Sequence, residues 1–594
     1  MRVIATAGHV DHGKSTLVRV LTGMEPDRWA EERRRGMTID LGFAWTALPS
    51  GATVAFVDVP GHERFVPNML AGVGPVPAVL FVVAADGGWM PQSAEHLAAL
   101  DALGVRHGVL AVTRADLADP GPALERARAE LAATSIGEVE AVAVSGATGA
   151  GLDDLRAALD RMVAALPAPG VDLPVRLWVD RSFVIRGSGT VVTGTLGAGR
   201  VSVGDELELA GSGRTVRVRG LQALGTPEGS VAATARVALN LRGVDRGAVG
   251  RGDALLTPDA FLLTDLVDVR VTGGQVADLP AAVVLHLGAA AVPVRVRPLG
   301  PDTARLRLAR PVPLHVGDRA LLRDPGAHGG AHRVAGGVTV LDVAPPPLRR
   351  RGAAAERAAV LATLDGRPDP AGEVRRRRTV RRAELRRMGV PPPYEPLAGD
   401  WLVDPGHRDD LRRRLGDEVD RYARQHPLEP DAPVEALRQA LELPDRALVE
   451  ALVGPPLIAR AGRVGRAERP PGLPAPLAAA VERIRADLAE DPFAAPDADR
   501  LAELGLGHRE VAAVVRAGAL RRVGDSVLLA PDALDVAERI LRGLPRPFTL
   551  SEARQALRTT RRVAVPLLEL LDRNGVTVRL PDGRHDMTSP AATH

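Results

Sequence analysis

Short uninterrupted apolar runs alternate with amphipathic stretches along the first 168 residues of this chain. Arg2–Ala7, Thr53–Asp58, Val79–Ala84, Val109–Thr113 and Val142–Ser145 carry few polar residues and are short. They predict strands covered on both faces. Leu17–Thr22, Gln92–Leu103, Pro122–Ala133 and Leu152–Leu166 repeat apolar residues at helical spacing. Strand and helix in alternation predict an α/β domain over 1–168, a mostly parallel sheet with helices on both faces. Pro167–Pro174 reads as a linker. The period then changes. Val201–Leu209, Arg214–Leu221, Ala235–Leu241, Leu266–Thr272, Val292–Arg297, Ala304–Leu308 and Ala320–Arg323 are Val/Leu-rich and separated by Gly-containing turns, with no long helical pattern. They predict two β-barrel domains, 174–260 and 261–344.

Pro345-Pro346-Pro347 ends this region, and the pattern beyond it is mostly helical. Units at 350–430, 431–470, 475–540 and 541–587, with Pro-rich joins at 469–474 and 544–547, predict tandem α+β winged-helix modules. The last is the clearest. Thr549-x-x-Glu552 forms a capping-box start before a helix Glu552–Leu557, Arg558–Thr560 form a turn, and a second helix runs from Arg561 to about Asn574. Val576–Arg579 and Arg584–Met587 flank the tight turn Pro581-Asp582-Gly583 as two wing strands. Thr588–His594 reads as a tail.

Composition narrows the class. No apolar run is long and uncharged enough to span a membrane. There is no cysteine, which excludes disulfides and thiolate zinc sites and fits a reducing compartment. The first residues read as a strand, not a signal peptide. A cytoplasmic monomer without a membrane partner is expected. Of 76 basic residues one is lysine, Lys14; the other 75 are arginine.

That lysine lies in Gly8-His9-Val10-Asp11-His12-Gly13-Lys14-Ser15, which fits the phosphate-loop pattern G-x-x-x-x-G-K-[ST]. A compact ammonium can reach phosphate oxygens through a tight loop of backbone amides; a planar guanidinium is too wide. Ser15 is placed to give its hydroxyl to Mg²⁺. Asp58-Val59-Pro60-Gly61-His62 follows the second strand: a carboxylate able to hold the metal through water, then a glycine whose amide can approach a γ-phosphate. Thr38, in Arg35-Gly36-Met37-Thr38-Ile39-Asp40, could ligate the metal when that phosphate is present. Asp116 can accept two hydrogen bonds from the guanine edge, which adenine cannot offer, and Ser145-Gly146-Ala147 follows the last strand.

Together these stretches resemble the five guanine-nucleotide motifs of the translational GTPases, Gly8–Thr16 and Asp58–His62 most specifically. The resemblance implies GTP/GDP and Mg²⁺ as cofactors, with Ser15, Thr38 and Asp58 at the metal. It implies that His62 orients the attacking water once a ribosome positions it, and that Val10 and Met37 form an apolar gate around that histidine. One departure is plain: the family's base-reading Asn-Lys-x-Asp has Thr113 and Arg114 in its first two places.

Arg186–Thr195 followed by Val203-Gly204-Asp205 resembles the second domain of the same factors. Val179-Asp180-Arg181-Ser182-Phe183, Ala235–Leu241 and Gly36–Ala44 narrow the resemblance to the bacterial selenocysteine-specific elongation factors, nearly continuously over 1–345. It implies a pocket of Asp180, Arg181 and Arg236 for the selenocysteinyl group. Two arginines attract a selenolate, an anion at neutral pH, and gain much less from the hydroxyl of serine. The expected partners are selenocysteinyl-tRNA, the ribosome at UGA codons, and the insertion hairpin (SECIS) of the mRNA.

Residues 541–587 hold nine arginines against five acids, and Arg558, Arg561 and Arg562 cluster before the second helix, a footprint for phosphate. Thr560–Glu569 resembles the terminal module that grips the hairpin. Arg375–Arg378 with Arg381, Arg382, Arg386 and Arg387 is a second basic stretch, either an RNA contact or an exposed helix. Two other functions fit parts of the pattern: a carrier of ordinary or initiator tRNA, and a GTP-switched RNA-binding regulator.

Overall fold

The computed structural model describes all residues except 27–37, 39, 63–64, 75, 186–188, 246, 328–332, 469–472 and 589–594. Met37 of the expected gate, Arg186–Ser188 and most of the expected tail lie outside the described residues. The chain forms two compact units, Met1–Glu395 and Pro396–His594.

The first unit opens with a six-stranded sheet. Its strands are β1 (Arg2–Ala7), β2 (Gly42–Ala47), β3 (Thr53–Asp58), β4 (Ala78–Ala84), β5 (His107–Thr113) and β6 (Glu140–Ala143). They lie in the order β2-β3-β1-β4-β5-β6, all parallel except β2, which runs against β3. Helices α1 (Lys14–Thr22), α2 (Val66–Val73), α3 (Pro91–Leu103), α4 (Gly121–Ala132) and α5 (Leu152–Ala165) complete the domain. Leu17, Val18 and Leu21 of α1 and Leu155, Leu159 and Met162 of α5 cover one face with Ile4, Phe56 and Leu80. Met69, Leu97, Leu100 and Leu131, from α2, α3 and α4, cover the other with Val57, Phe81 and Val83. Every residue of β4 is buried because both faces are covered, hence its unbroken apolar run. The expected strand Val142–Ser145 ends earlier, at Ala143. Ser145 turns out of the sheet, its hydroxyl accepting from the amides of Ala147 (3.3 Å) and Thr148 (3.1 Å).

Two β domains follow. The first is a sheet of Arg176–Trp178, Arg181–Ile185, Gly189–Leu196, Glu206–Leu209, Arg214–Ala223, Thr226–Glu228, Ala235–Arg242 and Ala254–Leu256, with a separate pair Arg200–Ser202 and Ser230–Ala232. The single strand expected at Val201–Leu209 is thus two. Gly204 sits at φ 100°, and Asp205 Oδ2 accepts from Ser202 N at 2.8 Å, which closes a turn between them. The second domain is a closed barrel of Leu262–Thr272, Ala282–Leu287, Ala290–Pro298, Thr303–Leu314, Arg319–Arg323 and Val334–Asp342.

The expected module 350–430 does not hold together: the division between the compact units falls at 395/396. Helix α6 (Ala353–Ala362) is tied to the closed barrel. Buried Arg357 bridges Asp268 (2.7 Å) and Asp342 (2.5 Å), and Arg305 also pairs with Asp268 (2.6 Å). In α7 (Pro370–Arg377), Arg377 pairs with Asp342 and Glu373, both at 2.7 Å, and Arg376 also pairs with Glu373. Arg387 Nε donates to Phe261 O at 3.3 Å. Three arginines of the second basic stretch, 376, 377 and 387, therefore hold the fold, while Arg375, Arg378, Arg381 and Arg386 are exposed.

In the second unit α8 (Pro405–Gln425) packs Leu411, Leu415 and Val419 into one core with Leu437, Val449, Leu452 and Val464. It belongs with the residues after 430, contrary to the expected boundary, because its apolar stripe at i, i+4 and i+8 needs that surface. Residues 475–587 share one further core running from Leu477 to Met587. Its last helices are α9 (Leu550–Ala556), with the capping box Thr549–Glu552 formed, and α10 (Arg561–Arg573), followed by the paired strands Thr577–Arg579 and His585–Met587.

Candidate functional site

The carboxyl ends of β1, β3, β5 and β6 carry the first site. Gly8 leaves β1 at φ 130°, so close to Val82 O that a Cβ would stand 2.1 Å from it. Gly13, at φ 78°, turns the chain into α1. Lys14 is buried, and its Nζ donates to the carbonyls of Gly8 (3.0 Å) and His9 (2.8 Å), so the ammonium lies inside the loop. Gly61 presses on the same place: a Cβ there would lie 2.5 Å from Lys14 Nζ and 2.6 Å from Val10 N. Only a glycine lets this backbone come so near the loop. Ser15 Oγ meets Thr38 Oγ1 at 2.9 Å. Asp58 is fully buried, and its Oδ1 accepts from Thr6 Oγ1 at 2.8 Å. Two hydroxyls and a buried carboxylate are hard oxygen donors of the kind Mg²⁺ takes.

His62 is half-buried, 6.0 Å from the Phe65 ring between centroids. Burial lowers the pKa of His9; nearby Lys14 and His62 add to this, and Asp11 opposes it. Burial also drives His12 down to about 4, against the raising effect of its contact with Val82 O. Both shifts favour the neutral imidazole, which puts no charge of its own among the loop amides.

On the base side, Thr113 Oγ1 donates to His12 O at 2.8 Å. Arg114 donates to Asp11 O at 2.5 Å and pairs with Asp86 at 2.9 Å. The two residues that depart from Asn-Lys thus lace the end of β5 to the phosphate loop. Asp116 is exposed beyond them. Gly146 lies against Thr16, whose methyl would be 3.6 Å from an added Cβ. The stretches Gly8–Thr16, Thr38, Asp58–His62, Thr113–Asp116 and Ser145–Ala147 are therefore supplied by one edge of one sheet.

Two working residues escaped sequence reasoning. His96, wholly buried on α3, accepts from Gly8 N at 3.1 Å through Nδ1, and burial, with Lys14 and His9 nearby, takes its pKa down to about 3. Thr6, besides donating to Asp58, accepts from Val59 N at 3.1 Å. Thr6 sits in the apolar run of β1, where a polar residue was an available signal; His96 follows Gln92, Ser93 and Glu95 on an amphipathic helix, where nothing in the sequence marks it.

The second site joins residues far apart in sequence. Asp180 is buried, and the Arg236 guanidinium pairs with it, Nη2 to Oδ1 at 2.6 Å. Thr193 Oγ1 also donates to Asp180, at 2.7 Å. Arg236 lies over the Phe43 ring with its guanidinium carbon 3.9 Å from the centroid, and Arg181 lies over the same ring at 5.3 Å. Asp180, Arg181 and Arg236 all line a cavity of about 950 Å³, with Phe43, Phe183 and Arg251. Phe43, on β2 of the first domain, is a member that sequence reasoning missed.

The third candidate lies in the second unit. Arg558, Arg561 and Arg562 are all exposed around the turn into α10. Arg562 also donates to Ala495 O at 2.7 Å, which leaves Arg558 and Arg561 the more available.

The family of the elongation factor Tu GTP binding domain matches residues 1–165, and that of elongation factor Tu domain 2 matches 189–256. The β-barrel domain of selenocysteine-specific elongation factors matches 265–347, and the winged helix of elongation factor SelB matches 539–585. The chain is 38% identical over 337 residues to a selenocysteine-specific elongation factor of Desulfomicrobium baculatum. That alignment covers 54% of this chain and about half, 53%, of the relative. It is 35% identical over 470 residues to the factor of that name from Escherichia coli, covering 76% of this chain and 75% of the relative. A crystal structure of a bacterial selenocysteine-specific elongation factor, EF-Sec, superposes on 99% of the chain and 100% of its own length, with a TM-score of 0.72 at 25% identity.

Proposed function

This chain belongs to the family of selenocysteine-specific elongation factors, and on that premise we propose that it binds GTP with Mg²⁺ and carries selenocysteinyl-tRNA to the ribosome at UGA codons marked by an mRNA hairpin, where GTP is hydrolysed. The observation that carries the cargo assignment is the meeting of Asp180, Arg181 and Arg236 around Phe43 in one cavity. Two guanidiniums beside a buried carboxylate make a small anion pocket, suited to a selenolate and poor for a serine hydroxyl.

The same reading gives the other residues their roles. Lys14 and the amides of Gly8–Thr16 hold phosphates. Ser15, Thr38 and Asp58 hold the metal, and the Thr38 contact with Ser15 ties its segment to the loop. Asp116 reads the guanine edge beside Ser145-Gly146-Ala147. Bound GTP supplies a phosphoryl group for transfer to water, a reaction that needs positioning and charge stabilisation rather than covalent help. His62 orients that water. Arg558, Arg561 and Arg562 take RNA phosphates of the hairpin, raising the local concentration of the factor at the correct codon by tethering.

The test is GTP turnover on ribosomes programmed with a UGA codon and its downstream hairpin. Turnover should rise on ribosome addition in the wild type. In His62→Ala it should fall by about 10²–10⁴-fold with nucleotide affinity unchanged. A His62→Ala protein with wild-type turnover would rule this mechanism out and favour a GTP-switched RNA-binding regulator.

A further inference from the structure

Arg181 is held from the nucleotide side of the molecule. Asp40 stands two residues beyond Thr38 in the chain. It pairs with Arg181 at 2.9 Å through Oδ2, while Arg251 stands 3.8 Å from its Oδ1. The next residue, Leu41, accepts at its carbonyl from Arg181 Nη2. Ser15 therefore contacts Thr38, and Asp40, two residues along the chain, contacts Arg181, which shares the Phe43 ring with Arg236 and, through it, Asp180.

The charge arrangement gives Asp40 a definite task. Two carboxylates, Asp40 and Asp180, and three guanidiniums, Arg181, Arg236 and Arg251, line the cavity, leaving it net positive by one. Asp180 is committed to Arg236 and is buried in its own β domain. Asp40 is the carboxylate that lies between Arg181 and Arg251 and belongs to the segment that carries Thr38. If Asp40 is drawn away with Thr38, Arg181 loses its ion pair and keeps only the carbonyl of Leu41, a core residue next to β2. A long side chain freed in this way regains rotamer entropy, which must be given up again to meet a ligand. The cargo then binds a less organised pocket.

We propose that Asp40 is a positioning residue that couples nucleotide state to cargo selectivity, aiming Arg181 into the pocket while Thr38 is held at Ser15. The inference rests on the cargo reading of Asp180, Arg181 and Arg236. Because coupling between two ligands is reciprocal, the factor by which GTP favours the cargo is the factor by which the cargo favours GTP, and Asp40 contributes to both.

The test uses the full chain with selenocysteinyl-tRNA and with seryl-tRNA on the same tRNA body. Dissociation constants are measured with a non-hydrolysable GTP analogue and with GDP. Wild type, Asp40→Ala, Arg181→Ala, the double variant and Asp40→Glu are compared. Asp40→Ala should reduce the preference of the selenocysteinyl form for the GTP state by about 10-fold, inside the usual range of coupling between sites. Affinity for a fluorescent GTP analogue and for seryl-tRNA should stay within about twofold, below the usual size of such coupling. The double variant should be no worse than Arg181→Ala, and Asp40→Glu should recover part of the loss. Full preference in Asp40→Ala, additive losses in the double variant, or an equal loss for seryl-tRNA would overturn the proposal. A wild type that binds both charged tRNAs alike would instead refute the cargo reading, and this inference with it.

Discussion

The phosphate-loop site and the proposed cargo pocket lie in the same compact unit but are made of different materials. The first is built mainly of backbone and neutral groups: loop amides, two close glycines, hydroxyls and uncharged imidazoles around one ammonium. The second is built of charged side chains from three separated segments, gathered around one aromatic ring. The material suits the ligand in each case. A polyphosphate presents many oxygens in a fixed array, which a rigid row of amides can match. A single anionic atom presents no array, so selectivity must come from concentrated charge in a partly desolvated cavity.

The largest expected effect comes from altering the lysine of the backbone site. Lys14→Arg keeps the charge but brings in a wide planar group where Gly61 leaves no room. GTP affinity should fall by about 10²–10³-fold, a loss set by charge-assisted bonds that can no longer form, measured by equilibrium binding of a fluorescent GTP analogue. In the charged pocket, Arg236→Lys keeps the charge and loses the two-pronged contact with Asp180. Preference for selenocysteinyl- over seryl-tRNA should drop by about 10-fold, the worth of one charge-assisted hydrogen bond, with GTP affinity unchanged. Arg561→Ala, in the exposed cluster, should lower the salt dependence of hairpin binding by about one phosphate contact, read from affinities at several salt concentrations. It should leave the other two sites untouched.

A separate effect is on stability. His96 and His12 are neutral in the folded chain, with pKa values of about 3 and about 4 against an ordinary 6.5. Below pH 6.5 the unfolded chain takes up protons that the folded chain refuses. Their contribution is therefore complete above that pH and is lost as pH falls toward 4, by about 1.4 kcal/mol per pH unit for each imidazole. Thermal unfolding between pH 7 and pH 5 should show this fall, and His96→Gln should make it shallower.

The same difference in material governs what the amino-acid order discloses. The backbone site is written in contiguous stretches, because amides that meet one phosphate chain must be neighbours in sequence. Gly8–Ser15 and Asp58–His62 were legible for that reason, and so were β1 and β3, whose unbroken apolar runs reflect cover on both faces. Asp180, Arg181 and Arg236 were legible only through resemblance to a family; no spacing joins them, and the pairing of their strands with Gly189–Leu196 brings them together. Phe43 and Asp40 were missed as pocket members because they come from a different domain. His96 was missed because a lone histidine on an apolar helix face is usually a core residue. The helix Pro405–Gln425 lies inside the expected unit 350–430 yet packs with later residues, because its apolar stripe does not say which surface it will meet.

The most direct test of the account is protection of the aminoacyl ester. The full chain with GTP is mixed with selenocysteinyl-tRNA and, in parallel, with seryl-tRNA of the same body, and spontaneous deacylation is followed. The account predicts that the selenocysteinyl ester is protected and the seryl ester is not, with protection weakened in Arg181→Ala and Arg236→Lys. Equal protection of both esters, or of neither, would contradict the anion pocket and with it the assignment of the cargo.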